Sequence, residues 1–301
     1  MGLRYWLNIF LAAVIACVIG LAVPLIWLSY KQSQSYLHPT RGHVISDLLT
    51  ANNIEYQEIE LTTKDGVKLS AWYTRPQPAL SSVEGNGAVI LVAHGYGGIR
   101  PENYYVLFAS HGYGVLAWDF RAHGKSGGDI STLGYYEQLD VEAALDYALA
   151  QSDVKHVGAW GGSMGGATVI LTAAKRPEIE AVVSDSAYPS LEDVLKINVP
   201  IKFMQPFVAL FWESSSGAEM DQVRPVDEIA KISPRAVFII DSRQKGAVLM
   251  NSPQRLYDAA REPKQMWVEE GVPHLGMIVY YRESYIERVI KFFDKYLLSD
   301  L

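Results

Sequence analysis

The chain has 301 residues, 49% of them hydrophobic and 20% charged, with 26 Lys+Arg against 33 Asp+Glu and a formal net charge of −7. That length buries a full core in one large domain or two small ones, and the acidic balance argues against a nucleic-acid partner, which requires a basic face. The single cysteine, Cys17, excludes an internal disulfide framework and a cysteine-built metal site, and ordinary Gly and Pro usage excludes disordered and collagen-like classes.

The chain opens on 26 positions, Tyr5 to Tyr30, without an acidic or basic residue. At ~1.5 Å per residue such a helix crosses a ~30 Å hydrocarbon layer with some tilt, which predicts a transmembrane helix over 5–30. Tyr5 and Trp6 stand at one end and Trp27 and Tyr30 at the other, as amphipathic rings do at membrane interfaces. A buried core helix is rarely apolar on every face for so long. A cleaved signal peptide would carry a shorter apolar stretch and small residues at its cleavage site, whereas Trp27-Leu28-Ser29-Tyr30 is bulky. A lipoprotein-like reading of Ile15-Ala16-Cys17 is opposed by the mostly apolar residues that follow. An uncleaved single-pass anchor is expected. Arg4 on one flank and Lys31 and Arg41 on the other leave the orientation undecided by charge, with a lean towards a domain outside the cytoplasm.

Residues 31–53 read as a polar linker with a short amphipathic piece, and 54–301 as one domain. Ile54–Thr62 alternates, Asp65-Gly66 turns and Val67–Thr74 runs back, a hairpin signal. Pro76–Gly87 reads as a loop. Strands follow at Ala88–Ala93, Gly114–Asp119, His156–Trp160, Ile179–Asp185, Ala236–Asp241 and Gln265–Glu269. Helical patterns run over Tyr136–Ala150, Met164–Arg176, Ser252–Arg261 and Glu283–Leu298. The alternation predicts an α/β fold with a mostly parallel sheet covered on both faces. Residues 187–231 break it. Their prolines and aromatics (Pro200, Phe203, Pro206, Phe207, Phe211, Trp212) suggest a helical cap over a site for an apolar substrate, the plainer alternative being an excursion that only stabilises the sheet.

Gly161-Gly162-Ser163-Met164-Gly165-Gly166 lies directly between a predicted strand and a predicted helix. Gly-x-Ser-x-Gly alone arises by chance in about 10% of chains this long. The strand-to-helix context sharpens it, because a serine on a strained elbow needs small neighbours where helix and strand pass closely. The helix N-terminus then offers free amides to a developing oxyanion. A tight turn with an idle serine is the alternative. A serine nucleophile needs a base from elsewhere in the chain. Of seven histidines, His274 in Val272-Pro273-His274-Leu275-Gly276 follows the last strand and falls at the same sheet edge as Ser163. His111 and His156 lead into strands at the wrong edge, His38 and His43 lie in the linker, and His123 is a weaker rival.

With Gly-Gly-Ser-Met-Gly-Gly around Ser163, His94-Gly95-Tyr96-Gly97-Gly98 after the third strand, and Asp119-Phe120-Arg121-Ala122-His123-Gly124-Lys125-Ser126 after the fourth, the sequence resembles the α/β-hydrolase superfamily. More narrowly, it is similar to membrane-anchored bacterial serine hydrolases of the serine aminopeptidase-like and esterase-like kind, over residues ~55–298. The resemblance implies an eight-stranded α/β-hydrolase domain with Ser163 as nucleophile, His274 as base, and the amides of Tyr96 and Met164 as the oxyanion hole. It gives His94, Asp119, Arg121 and His123 structural roles. It implies hydrolysis of a small-molecule ester or related acyl substrate, without metal or organic cofactor. Peptide cleavage and a catalytically silent, membrane-tethered binding protein are the alternatives.

One position departs from the family pattern. The family places an acidic residue in the loop after the seventh strand, where this chain carries Lys245. A carboxylate there would accept the imidazole Nδ1–H and steady the imidazolium; an ammonium would lower the His274 pKa. Asp185, at the end of the sixth strand, is taken as the candidate acid, although it equally suits a structural role. Asp241, Glu270 or no acid at all are the other resolutions.

Overall fold

The computed structural model describes residues 2–76, 87–243 and 251–298. Most of the expected 76–87 loop, and Lys245 with it, lie outside the described residues.

Helix α1 (Leu3–Leu37) contains the apolar run but does not end with it. No Gly or Pro interrupts the seven residues after Tyr30, so the helix continues until Pro39 forbids it. The first third of the expected 31–53 linker is therefore helical. Its 35 residues extend about 52 Å, well beyond a ~30 Å hydrocarbon layer. The far end packs on the domain. Ser29, Ser33 and Leu37 are fully buried, and the serine hydroxyls are satisfied on the helix's own Leu25 and Tyr30 carbonyls, both at 2.8 Å. Ser131 N–H donates to the Leu37 carbonyl at 2.8 Å. A short helix, α2 (Asp47–Ala51), matches the amphipathic piece and buries Leu49.

The domain proper opens with the hairpin β1 (Gln57–Thr62) and β2 (Lys68–Thr74). Alternation follows: β3 (Ala88–Ala93), α3 (Glu102–Ala109), β4 (Gly114–Trp118), α4 (Glu137–Leu149), β5 (His156–Gly162), α5 (Met164–Ala173) and β6 (Ile179–Asp185). The excursion then supplies α6 (Leu191–Asn198), α7 (Gln205–Ser216) and α8 (Pro225–Glu228) with intervening 3-10 turns. The chain closes through β7 (Ala236–Arg243), α9 (Ser252–Ala259), β8 (Lys264–Glu270), α10 (Met277–Tyr280) and α11 (Arg282–Leu297). The eight strands form one sheet in the order β1-β2-β4-β3-β5-β6-β7-β8, antiparallel at β1–β2 and β2–β4 and parallel elsewhere.

Both faces are buried, which is why the central strands read as continuous apolar runs. In β3, Val89, Leu91 and Ala93 pack with α4 and α5, whereas Ala88, Ile90 and Val92 pack with α3 and α11. From β3 the chain moves first to one neighbour, β4, and later to the other, β5. The loops leaving the carboxyl ends of β3 and β5 therefore diverge around a crevice, the position at which doubly wound sheets hold ligands.

Candidate active site

Ser163 lies between β5 and α5, at the N-cap position, with φ +54° and ψ −115°, a positive-φ conformation that a serine adopts only under constraint. The constraint is close packing. A Cβ on Gly165 would collide with the Ala93 carbonyl, and one on Gly161 with the backbone of Gly165, so helix and strands meet only because both positions lack side chains. Ser163 N–H donates to the Asp185 carbonyl at 2.8 Å, which pins the elbow to β6.

His274 arrives from the loop after β8, and its Nε2 lies 2.9 Å from Ser163 Oγ. Two residues that sequence reading did not single out hold this loop. Ser242, near the end of β7, donates its hydroxyl to the Pro273 carbonyl at 2.7 Å. Leu275, at φ +58°, turns its side chain over Gly95 and Gly162, between the two loops of the crevice. Partial desolvation of the imidazole holds the His274 pKa below the ordinary 6.5.

The Tyr96 loop faces Ser163. His94, fully buried, accepts from Phe120 N–H at Nε2 (2.9 Å), leaving Nδ1–H to donate to the Gly95 carbonyl at 2.7 Å. Burial, with His123 adding to it, pushes its pKa down to about 4, so the ring is neutral. His123 likewise accepts from Gly97 N–H (3.0 Å) and donates to the Arg121 carbonyl (2.8 Å). Among the described residues, neither the Tyr96 nor the Met164 amide has an acceptor. Asp119 is fully buried and bound by Arg100 and by Lys125 N–H, while Arg121 bridges Asp140 and Asp65; both brace the turn after β4.

Asp185 does not reach the histidine. Its Oδ1 accepts from Ser186 Oγ and its Oδ2 from Tyr285 O–H, both at 2.8 Å, and Trp160 Nε1–H donates to the same tyrosine oxygen at 2.9 Å. The expectation that it serves as the acid is corrected on this point. β6 aims the carboxylate at α11 beneath the sheet edge, where burial raises its pKa to about 6. Among the described residues, no carboxylate is hydrogen-bonded to His274 Nδ1. No group of three or more His, Cys, Asp or Glu able to hold a metal occurs among the described residues.

A family model described as the alpha/beta hydrolase fold matches residues 88–213. Over 81% of its length the chain is 27% identical to the alpha/beta hydrolase domain-containing protein WAV2 of Arabidopsis thaliana, covering 80% of that protein. It is 27% identical to YqkD of Bacillus subtilis, over 68% of this chain and 70% of that one. The solved structure of the Pyrococcus furiosus esterase Pf2001 superposes with a TM-score of 0.69 at 26% identity, covering 86% of this chain and 99% of the esterase. The chain has the α/β-hydrolase fold. The sheet order is the one that fold carries, and the likeness to an esterase supports hydrolase chemistry in general.

Proposed function

We propose that this protein of α/β-hydrolase fold is a serine hydrolase acting on an ester or related acyl bond, held at a membrane by α1. The observation that carries the proposal is the 2.9 Å approach of His274 Nε2 to Ser163 Oγ at the mouth of the crevice. In the reaction, His274 Nε2 takes the hydroxyl proton as Ser163 Oγ bonds to the acyl carbon. The carbonyl oxygen becomes an oxyanion beside the amides of Tyr96 and Met164, whose charge-assisted hydrogen bonds strengthen as negative charge develops. Collapse of this intermediate breaks the bond to the leaving group, which receives the proton from His274. Water then attacks the acyl-serine with His274 again as base, releasing the acid and restoring Ser163.

Among the described residues no carboxylate bonds His274 Nδ1, and catalysis by such a pair is slower than by a triad, whose carboxylate fixes the tautomer and steadies the imidazolium. That same feature favours a second reading, a membrane-tethered fold that binds its ligand and turns over weakly or not at all.

Helix α1 supports anchoring by length and composition: it is long and apolar enough to cross a membrane, and its apolar window is unburied. The test is hydrolysis of p-nitrophenyl esters of graded chain length by the full chain in detergent. The proposal expects turnover that Ser163→Ala and His274→Ala each abolish. No turnover across the series, or turnover that survives Ser163→Ala, contradicts it.

A further inference from the structure

The apolar run of α1 ends at Tyr30, yet the helix continues along the cap. Tyr30 meets Phe211 edge-to-face with ring centroids 5.6 Å apart, and Gln34 Nε2 donates to Ser215 Oγ at 3.0 Å. Between α1 and the segment joining α6 to α7 lies a cavity of about 420 Å³, within the ~300–1,000 Å³ typical of small-molecule sites. Leu28, Lys31 and Ser35 form its α1 wall, and Val199, Ile201 and Met204 its cap wall. Val199 and Met204 are buried, whereas Leu28 and Ile201 are 44% and 48% exposed.

Three features give this groove a direction. Trp27 and Lys31, whose ammonium lies 5.6 Å from the indole, mark the level at which an anchored α1 would leave the hydrocarbon layer. The cap segments touching α1 expose Ile201, Phe203 and Leu210, an apolar surface costly in water but at home against lipid. At the other end of the groove, the Ser35 carbonyl accepts the hydroxyl of Tyr96 at 2.7 Å. Tyr96 carries one of the two candidate oxyanion amides. The α1 wall of the cavity thus runs from headgroup level at Leu28 to Ser35, whose carbonyl holds the tyrosine of the loop facing Ser163.

We infer that the groove is an acyl-chain subsite, taking the hydrocarbon tail of an amphiphilic ester that resides in the bilayer and bringing its acyl carbonyl to Ser163. The inference rests on the serine-hydrolase and anchor readings and names the substrate class within them. The bilayer is the source, because the mouth sits beside the helix that enters it; a water-soluble ester would have no use for a wall built from a membrane helix.

The test uses the full chain reconstituted in phosphatidylcholine vesicles. In one arm, Ser163→Ala protein is irradiated with a phosphatidylcholine carrying a diazirine on its acyl tail. Adducts in peptides spanning 28–35 and 199–204 are expected; adducts confined to 5–27, as any spanning helix would give, overturn the groove. In the other arm, Ile201→Trp narrows the mouth at an exposed position. The ratio of p-nitrophenyl laurate to p-nitrophenyl acetate hydrolysis is expected to fall at least tenfold, and an unchanged ratio overturns the subsite. If the unsubstituted protein hydrolyses neither ester, the hydrolase reading fails, and the adduct pattern alone supports or overturns the groove.

Discussion

Tyr96 donates its hydroxyl to the carbonyl of Ser35, 61 residues earlier in the chain, and so ties the loop after β3 to the far end of α1. Burial raises the Tyr96 pKa to about 12, which keeps the phenol protonated and donating at every working pH. Removing the hydroxyl with Tyr96→Phe loosens the loop without changing its backbone chemistry. One net hydrogen bond is worth about 0.5–1.5 kcal/mol, so kcat is expected to fall roughly two- to tenfold with little change in KM. Steady-state kinetics on a p-nitrophenyl ester reads this directly; a KM effect alone would place the tyrosine in ground-state binding.

The Asp185 assignment separates structural from catalytic roles. Asp185→Asn is expected to retain activity within about threefold, whereas replacing a triad acid costs ~10⁴-fold. Burial lifts this carboxyl from 3.8 to about 6. A raised folded-state pKa contributes stability that is complete below the unfolded value and is lost as pH climbs through the folded one. From pH 4 to 7.5, therefore, wild type should lose about 2 kcal/mol relative to the asparagine variant, which has no such group to ionise. Urea unfolding at the two pH values measures the difference.

His274 titrates below the ordinary histidine value, with desolvation as the cause. A base works only when deprotonated, so kcat/KM should fall on the acid side with a midpoint below pH 6.5 and stay level through neutrality. A midpoint above 7 would require a carboxylate on Nδ1. The pH–rate profile of the full chain decides between them.

Gly165→Ala should lower the thermal midpoint and abolish activity, because the elbow must shift to relieve the clash. Its Cβ would overlap the Ala93 carbonyl, and two backbones rather than a flexible side chain would have to move. Overpacking of this kind costs about 1–3 kcal/mol or more. The thermal midpoint of the variant, beside that of Ala167→Gly in the same helix as a control for propensity, provides the measurement.

Sequence reading singled out the residues that the structure brings together where a residue type is demanded by local geometry. Gly161 and Gly165 are required by contact, Ser163 by the elbow between them, and His274 by its position after the last strand, so spacing exposes them all. The central strands were legible because burial on both faces makes them uninterrupted apolar runs. Helix α3 was not marked, since eight residues with Tyr104, Tyr105 and Phe108 on their inner side give too few turns for a period to show. The extension of α1 past Tyr30 was missed for the opposite reason: Lys31-Gln32-Ser33-Gln34-Ser35 is polar in composition, and its helicity comes from continuation of α1 and packing on α7. Ser242, Leu275 and Ser35 act through backbone carbonyls or a left-handed turn, which leave no mark in residue type. The direction of the Asp185 side chain depends on α11 supplying Tyr285, 100 residues away, and no local pattern carries that information. The residue at the family's acid position, Lys245, lies outside the described residues.

The central claim is that the hydroxyl of Ser163 is activated by the imidazole of His274. Incubating the full chain with a fluorophosphonate probe and mapping the adduct by peptide mass spectrometry tests it most directly. The account predicts one adduct, on Ser163, whose rate of formation drops at least a hundredfold in folded His274→Ala protein. A folded protein that takes no label, or a label on Ser163 that forms equally fast without the imidazole, would contradict it.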